Sequence, residues 1–360
     1  MRFLFTLLFS AAVSASLGQS MIKMADSIRK VRGIPAIGYA VFSADQIIDM
    51  GVVGFRKYRA KDSVQLTDRF HIGTNTFAFT SYIAAKLVEA KKITWITTYA
   101  QLFPQNKKIK AAYRNIALKD LLSNTAGLPP YTNVTDFAMV PLLPGDVTTQ
   151  RRDFAYWVLQ QPPLDSSRAN KMVISVASYG VAAAMLEKVS GMSWEKLLDE
   201  YINKPLGISA KTGWPNKISE QQPWGHWSRY GSFAPESPAT WFKPHPAIVP
   251  AFDINITIGD YTKFLQEQLR GLRGQKAGLS KTMFDLMHFG IPDYSFGWQN
   301  AALGSSRISF HTGESHLFVS YVELVPEKNI GVLVVCNSGE SMGKGGVLNL
   351  CRLLREHYMQ

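Results

Sequence analysis

The sequence predicts an α/β fold of the α+β kind. An antiparallel sheet is built from both ends of the chain, helices flank it, and a helical lobe is inserted between its two halves. Three observations predict this. Two strand-like runs lie near the start of the chain, about three lie near its end, and the residues between carry helical spacing and turn signals.

Residues 21–32 place Met21, Met24, Ala25 and Ile28 on one helical face, and Gly33-Ile34-Pro35 breaks the pattern. Residues 36–42 and 46–53 read as strands around the turn Ser43-Ala44-Asp45. Residues 76–90 form an apolar helix long enough to be central, and 116–122 a short one ending at Asn124-Thr125-Ala126-Gly127. Two more helices are expected at 153–160 and 178–190. Gly191 stops the second, and Ser193 caps another over 194–201. Residues 215–250, with Trp214, Trp224, Trp227 and Trp241 in and beside them, show little regular pattern and read as long ordered loops walling a cleft. Then come a helix at 260–269 and strands at 307–310, 317–325 and 330–335. A turn at Pro326-Glu327-Lys328-Asn329 and a closing helix over 347–357 complete the order.

Hydrophobic residues are 46% and charged residues 18% of the chain, which excludes a disordered polypeptide. Residues 1–20 read as an export signal: Arg2 starts it, Phe3 to Phe9 are apolar, and small residues follow from Ala11 to Ser16. That run is much shorter than the ~20 residues a membrane span needs, and no later stretch is apolar enough. Without a cysteine near the cleavage region, the expected location is secreted or periplasmic. The formal charge of +12 is spread over short clusters such as 56–61, 107–108 and 151–152. No aromatic-interleaved basic stripe is visible, which argues against nucleic acid. Attraction to the anionic cell envelope follows from the sign of the charge. Cys336 ends a strand and Cys351 lies in the next helix, so a disulfide and two separate buried thiols both remain open.

Several local motifs fail in context. Gly339-Glu340-Ser341-Met342-Gly343 has the spacing of a nucleophile elbow, but no acid–histidine pair follows it in the required order. The same stretch is one residue short of a phosphate-binding loop. His311 and His316 are five apart, and no zinc-ligand spacing occurs elsewhere, so no metal or other cofactor is expected. Ser-x-x-Lys strings at 27–30, 193–196 and 341–344 all lie away from the head of the central helix and are taken as chance.

The informative segments come as an ordered set. They are Phe70-His71-Ile72-Gly73-Thr74-Asn75-Thr76-Phe77, Leu121-Leu122-Ser123-Asn124-Thr125-Ala126-Gly127-Leu128-Pro129, Ser178-Tyr179-Gly180, Tyr294-Ser295-Phe296-Gly297-Trp298, and His311-Thr312-Gly313 followed by Pro326 to Val332. In this order they resemble the class C β-lactamase-related family of penicillin-binding-protein-like serine hydrolases, over nearly all of the chain after residue 20. The resemblance implies a β-lactamase/transpeptidase-like fold. It also implies a serine acyl-enzyme mechanism in which a lysine one helical turn on, and a tyrosine from the helical lobe, handle the nucleophile's proton. Carried over by position, Thr74 takes the nucleophile's place and Phe77 the lysine's. The Tyr-Ser-Asn motif falls on Ile174-Ser175-Val176, and only His311-Thr312-Gly313 keeps its pattern. A hydroxyl is a weak nucleophile until a base lies within hydrogen-bond reach. An oxyanion site, by contrast, needs only main chain, here that of Thr74 and Glu314.

Two function classes follow. The first is a secreted or periplasmic binding protein. Its cleft, lined by Thr74, Phe77, Ile174, Val176, Thr312, Gly313 and Glu314, holds a peptide, cell-wall fragment or other carboxylate ligand without turnover. The second is an active esterase or peptidase with Thr74 as nucleophile and neutral His311 as base. A partner-binding role for the tryptophan-rich loops is a third, smaller option. The expected organisation is a signal over 1–20 and a single domain over 21–360, with a sheet lobe at about 21–75 and 255–360 and a helical lobe at about 76–254.

Overall fold

The computed structural model describes residues 21–132, 136, 139–164, 171–229, 232–240 and 244–359. The expected export signal and Trp241 lie outside the described residues. A six-stranded antiparallel sheet has the order β2-β1-β11-β10-β9-β8. Strands β1 (Ala36–Phe42) and β2 (Ile47–Gly54) come from the start of the chain. Strands β8 (Gln299–Leu303), β9 (Ser306–Glu314), β10 (Val319–Val325) and β11 (Ile330–Cys336) come from its end. Strand β1 pairs with β11, so the two halves join at the middle of the sheet.

Every residue of β1 is buried because both faces of the sheet are covered. Ile37, Tyr39 and Val41 pack with Met21, Ala25, Val347, Leu350 and Leu354 from the first and last helices. Ala36, Ala40 and Phe42 point the other way, into the larger core shared with the helical region. This is the period-two alternation of a strand, with an apolar layer on each side.

Most expected elements are present with shifted ends, and caps explain the shifts. The Ser175 side chain accepts from Ser178 N–H, so that helix runs Val176–Ser190. Asp146 accepts from Thr149 N–H and starts a helix at Val147–Val158, six residues before the expected start at 153. The last helix runs Glu340–Tyr358. Gly343 and Gly346 hid its opening turns, yet both are packing positions. A Cβ at Gly343 would lie 2.2 Å from Ser338 O, and one at Gly346 would lie 2.3 Å from Ile34 Cδ1. Strand β8 had no visible signal because it is a partly exposed edge with weak alternation.

The reading of 215–250 as loops is corrected. The segment holds a helix at Pro215–Ile218, a hairpin of β5 (His226–Arg229) and β6 (Ser232–Pro235), and a helical turn at Pro246–Ile248. The hairpin escapes sequence reading because its strands are only four residues each and carry no apolar alternation. A small third sheet, β3 (Arg69–His71), β7 (Ile254–Thr257) and β4 (Lys211–Thr212), was also unforeseen.

Two buried polar anchors fix the lobes. Arg151 is fully buried and pairs with Glu187 and, at 2.6 Å, with Glu195, tying three helical segments together. Asn337 is a junction. Its Oδ1 accepts from Ala36 N–H at 2.7 Å, its Nδ2 donates to Phe55 O and Arg56 O, and its own carbonyl accepts from His226 Nδ1 at 2.7 Å.

Both cysteines are free and buried. Cys336 Sγ lies 3.2 Å from the Cβ position of Gly343. Cys351 is eight residues further along the same helix, about 12 Å at 1.5 Å per residue, while a disulfide needs Cα atoms within about 7 Å. Unreduced protein, unfolded in guanidinium, is therefore expected to take up two equivalents of iodoacetamide by intact mass. An uptake of zero would mean that a bridge forms and that the register of this helix on the sheet is wrong.

A candidate ligand cleft at the head of the central helix

Thr74 stands on a one-turn helix, Gly73–Asn75, that leads into the central helix Thr76–Glu89. Its position is imposed from several sides. Strand β3 pairs with β7, and the chain then turns sharply with Gly73 at φ +55°. A Cβ there would lie 2.4 Å from Glu314 O, so the turn presses backbone to backbone against β9. His71 is fully buried, and its Nδ1 accepts from Gly73 N–H at 3.1 Å. That fixes the tautomer, so Nε2–H donates to Asp253 Oδ1 at 3.1 Å. The Trp214 ring lies 4.4 Å from the imidazole. On the other side Asn75 Nδ2 donates to Ser320 Oγ at 2.8 Å, and Ser320 Oγ–H donates to Ile72 O at 2.9 Å.

The Thr74 hydroxyl donates to Thr312 O at 3.3 Å. Among the described residues no titratable side chain hydrogen-bonds to it. One helical turn on, Phe77 is fully buried and lies parallel to Tyr179, with centroids 3.8 Å apart and planes 8° apart. The Tyr179 hydroxyl donates to Leu122 O at 2.7 Å. Phe77 and Tyr179 thus form an uncharged floor, and Phe77 sits beneath the cleft rather than in its lining.

His311 is buried, 5.7 Å from the Phe77 ring by centroid. Its Nδ1–H donates to Gly297 O at 2.9 Å, which leaves Nε2 as the unprotonated nitrogen. Burial depresses its pKa to about 4, only partly offset by the bond to Gly297. The ring is neutral at ordinary pH.

A cleft of about 460 Å³ opens above this floor. It brings together Thr74, Ile174, Val176, His311, Thr312 and Glu314, all named from the sequence. Gly313 is not in its wall; a Cβ at Gly313 would lie 2.0 Å from Ile72 O, so its role is to let β9 approach the turn. Five further residues complete the lining: Thr132, Phe252, Gln299, His316 and Lys344. Lys344 pairs with Glu314 at 2.5 Å on the rim. It belongs to the Ser-x-x-Lys string at 341–344 set aside as chance. The string does not form a nucleophile pair at the central helix, but the last helix carries its lysine to the cleft. His316, in a left-handed conformation at φ +63°, donates from Nε2 to Thr132 O at 3.0 Å. Nothing in the sequence marks Thr132, Phe252, Gln299 or His316 as lining residues.

Among the described residues no group of three or more His, Cys, Asp or Glu could hold a metal ion. No described helix is long and apolar enough to cross a membrane.

A family model described as Beta-lactamase matches residues 22–353. The chain is 23% identical to the Unguisins hydrolase ungD of Aspergillus violaceofuscus (strain CBS 115571), covering 90% of this chain and 62% of that protein, so it spans less than two thirds of that relative. It is also 23% identical to Penicillin-binding protein 4 of Amycolatopsis lactamdurans, over 87% of this chain and 84% of that protein. A class C beta lactamase from Rhodobacter sphaeroides superposes with a TM-score of 0.75 at 16% identity, covering 94% of this chain and 99% of the other. An octameric penicillin-binding protein homologue from Pyrococcus abyssi superposes with a TM-score of 0.73 at 20% identity, covering 94% and 77%.

The buried histidines give a pH signature. His311 and His226 are depressed to about 4 and His288 to about 3, each chiefly by desolvation. Each would titrate near 6.5 when unfolded, so between the two values the unfolded chain binds more protons. Stability is complete above about pH 6.5 and falls as the pH drops toward 4, by on the order of 3 kcal/mol per group. Urea unfolding of His311→Gln is expected to show a shallower loss between pH 6.5 and 4 than wild type; an unchanged slope would mean that His311 is not held neutral.

Proposed function

Because the chain belongs to the Beta-lactamase family, we propose that it is a binding protein built on the serine-hydrolase fold, holding a peptide or other carboxylate ligand without acylating itself. The observation that carries this reading is the bond from the Thr74 hydroxyl to Thr312 O. A peptide carbonyl cannot take up a proton at neutral pH, so this bond offers the hydroxyl no path to alkoxide. Phe77 and Ile174 hold the positions where the family's lysine and tyrosine would stand, and neither can act as a base. Loss of a positioned base costs ~10²–10⁴ in rate, and two are missing here. Threonine's extra methyl further restricts the hydroxyl's rotamer.

The cleft suits a ligand with two characters. Ile174, Val176 and Phe252 offer apolar contact, while Thr312, Gln299 and the Glu314–Lys344 pair offer polar contact. The Thr74 N–H lies in the opening turn of a helix, where no intrahelical acceptor exists, and can meet a carboxylate or carbonyl oxygen. Export through a signal at 1–20, one domain over 21–360, and action at the cell envelope belong to the same proposal. The hydrolase named ungD is a relative, but its activity does not transfer to a chain that spans 62% of it.

The second reading, hydrolysis by Thr74 with His311 as base, draws support from the neutral imidazole in the same cleft. One experiment separates the two. Protein is incubated with a fluorescent penicillin and with p-nitrophenyl acetate, and thermal shift is measured with benzylpenicillin and N-acetyl-D-Ala-D-Ala. The expected result is no covalent adduct by intact mass and ester turnover equal to that of Thr74→Ala. A stabilising shift with at least one ligand is expected to survive Thr74→Ala. An adduct that Thr74→Ala abolishes would establish the hydrolase, and no shift with either ligand would defeat the binding role.

A further inference from the structure

The segment 56–61 reads in sequence as one basic cluster among several, but the fold surrounds it with aromatic rings from elsewhere. Lys57 Nζ sits 3.8 Å from the centroid of the Trp224 ring, and the Arg59 guanidinium lies 5.3 Å over Tyr58. Phe233, from the hairpin, stands 5.7 Å from Tyr58 and against Gly33, where a Cβ would come within 3.0 Å of its ring. Arg32, beside Gly33, lays its guanidinium against Gly345, with 3.1 Å to the Cβ position there. Gly345 adjoins Lys344 on the cleft rim. The basic groups therefore run from the rim through Arg32 to the loop that carries Lys57, Arg59 and Lys61.

This loop is held firmly. Trp224 N–H donates to Arg56 O at 2.8 Å, Tyr58 N–H donates to His226 Nε2 at 2.9 Å, and Arg56 forks onto Asp68 at 2.7 and 2.9 Å. Arg32, Arg59 and Lys61 are exposed and Lys57 is half-buried. Among the described residues none of the four forms an ion pair. Stacking on a ring orients a cation without cancelling its charge, whereas a carboxylate partner would neutralise it. The carboxylates nearby are Asp62, exposed next to Lys61, Asp68, taken up by Arg56, Glu220, whose carbonyl accepts from Trp224 Nε1, and Glu236, which accepts from Trp227 Nε1.

We propose that this ledge binds a linear polyanion, a polymer carrying repeated phosphate or carboxylate groups, laid along Lys57, Arg59, Lys61 and Arg32 toward the cleft mouth. An extended polymer matches charges strung along one edge. A lipid surface fits less well, because the Trp224 and Tyr58 rings are covered by their own cations and the apolar side chains exposed in this part of the chain, Val31, Phe55 and Leu66, are few, while interfacial anchoring needs a broad apolar face. This inference does not depend on the role of Thr74.

The test measures binding of full-length protein to linear polyphosphate and to phosphatidylglycerol vesicles over a range of salt. One variant carries Arg32→Gln, Lys57→Gln, Arg59→Gln and Lys61→Gln. A control removes four exposed charges elsewhere, by Lys91→Gln, Lys92→Gln, Lys107→Gln and Lys108→Gln. The expected result is salt-sensitive binding of polyphosphate, at least tenfold weaker in the ledge variant and within threefold of wild type in the control, with melting temperatures unchanged. Equal losses in both variants would reduce the effect to net charge and overturn the proposal. So would no polyphosphate binding by wild type at low salt, or tighter binding to vesicles than to polyphosphate.

Discussion

The close approach between the turn at Gly73 and strand β9 governs the site. No side chain fits between Gly73 and the backbone of Glu314, and none fits between Gly313 and Ile72 O. These two gaps bring the head of the central helix to the strand that carries His311 and Thr312. The Thr74 hydroxyl consequently meets a main-chain oxygen of β9 before any side chain. His71, Asp253, Asn75 and Ser320 then hold the turn from behind through four hydrogen bonds. Buried polar groups of this kind fix one geometry because the alternatives leave them unpaired.

Beneath the turn lies a buried aromatic pair, Phe77 stacked on Tyr179. Burying a phenylalanine contributes about 1.5–3 kcal/mol, and an aromatic pair in contact adds about 0.5–1.5 kcal/mol. A lysine in the same closed space would lose much of its hydration with no carboxylate beside it. The Phe77–Tyr179 stack and the neutral His311 are thus parts of one environment. The floor is dry, and the dryness that packs Phe77 also keeps the imidazole uncharged.

Much of the architecture was legible because long-range order leaves local traces. Apolar runs at 36–42 and 330–335 announced strands, and the segments around Thr74 and His311 carried the family pattern. The lining residues Ile174 and Val176 could be placed only through that pattern, since nothing local distinguishes them from core positions. The edge strand β8 and the hairpin at 226–235 were missed because their strands are only four or five residues long and carry too few large apolar side chains to show a period of two. Lys344 was not foreseen in the cleft lining. A three-residue spacing is meaningful only at the right helix end, and its relation to Glu314 spans 30 residues of chain. The pairing of Lys57 with Trp224 is likewise invisible in sequence, being a contact made by folding alone.

The junction at Asn337 has a mechanical consequence. A single side chain and its carbonyl join the start of β1, the residues entering the 56–61 loop, the hairpin and the lead-in to the last helix. Those four pieces cannot shear past one another without stranding buried donors. The lip of the cleft and the outer face of the molecule therefore turn together, like a lens and its mount. Whatever grips the outer face sets the direction in which the opening looks.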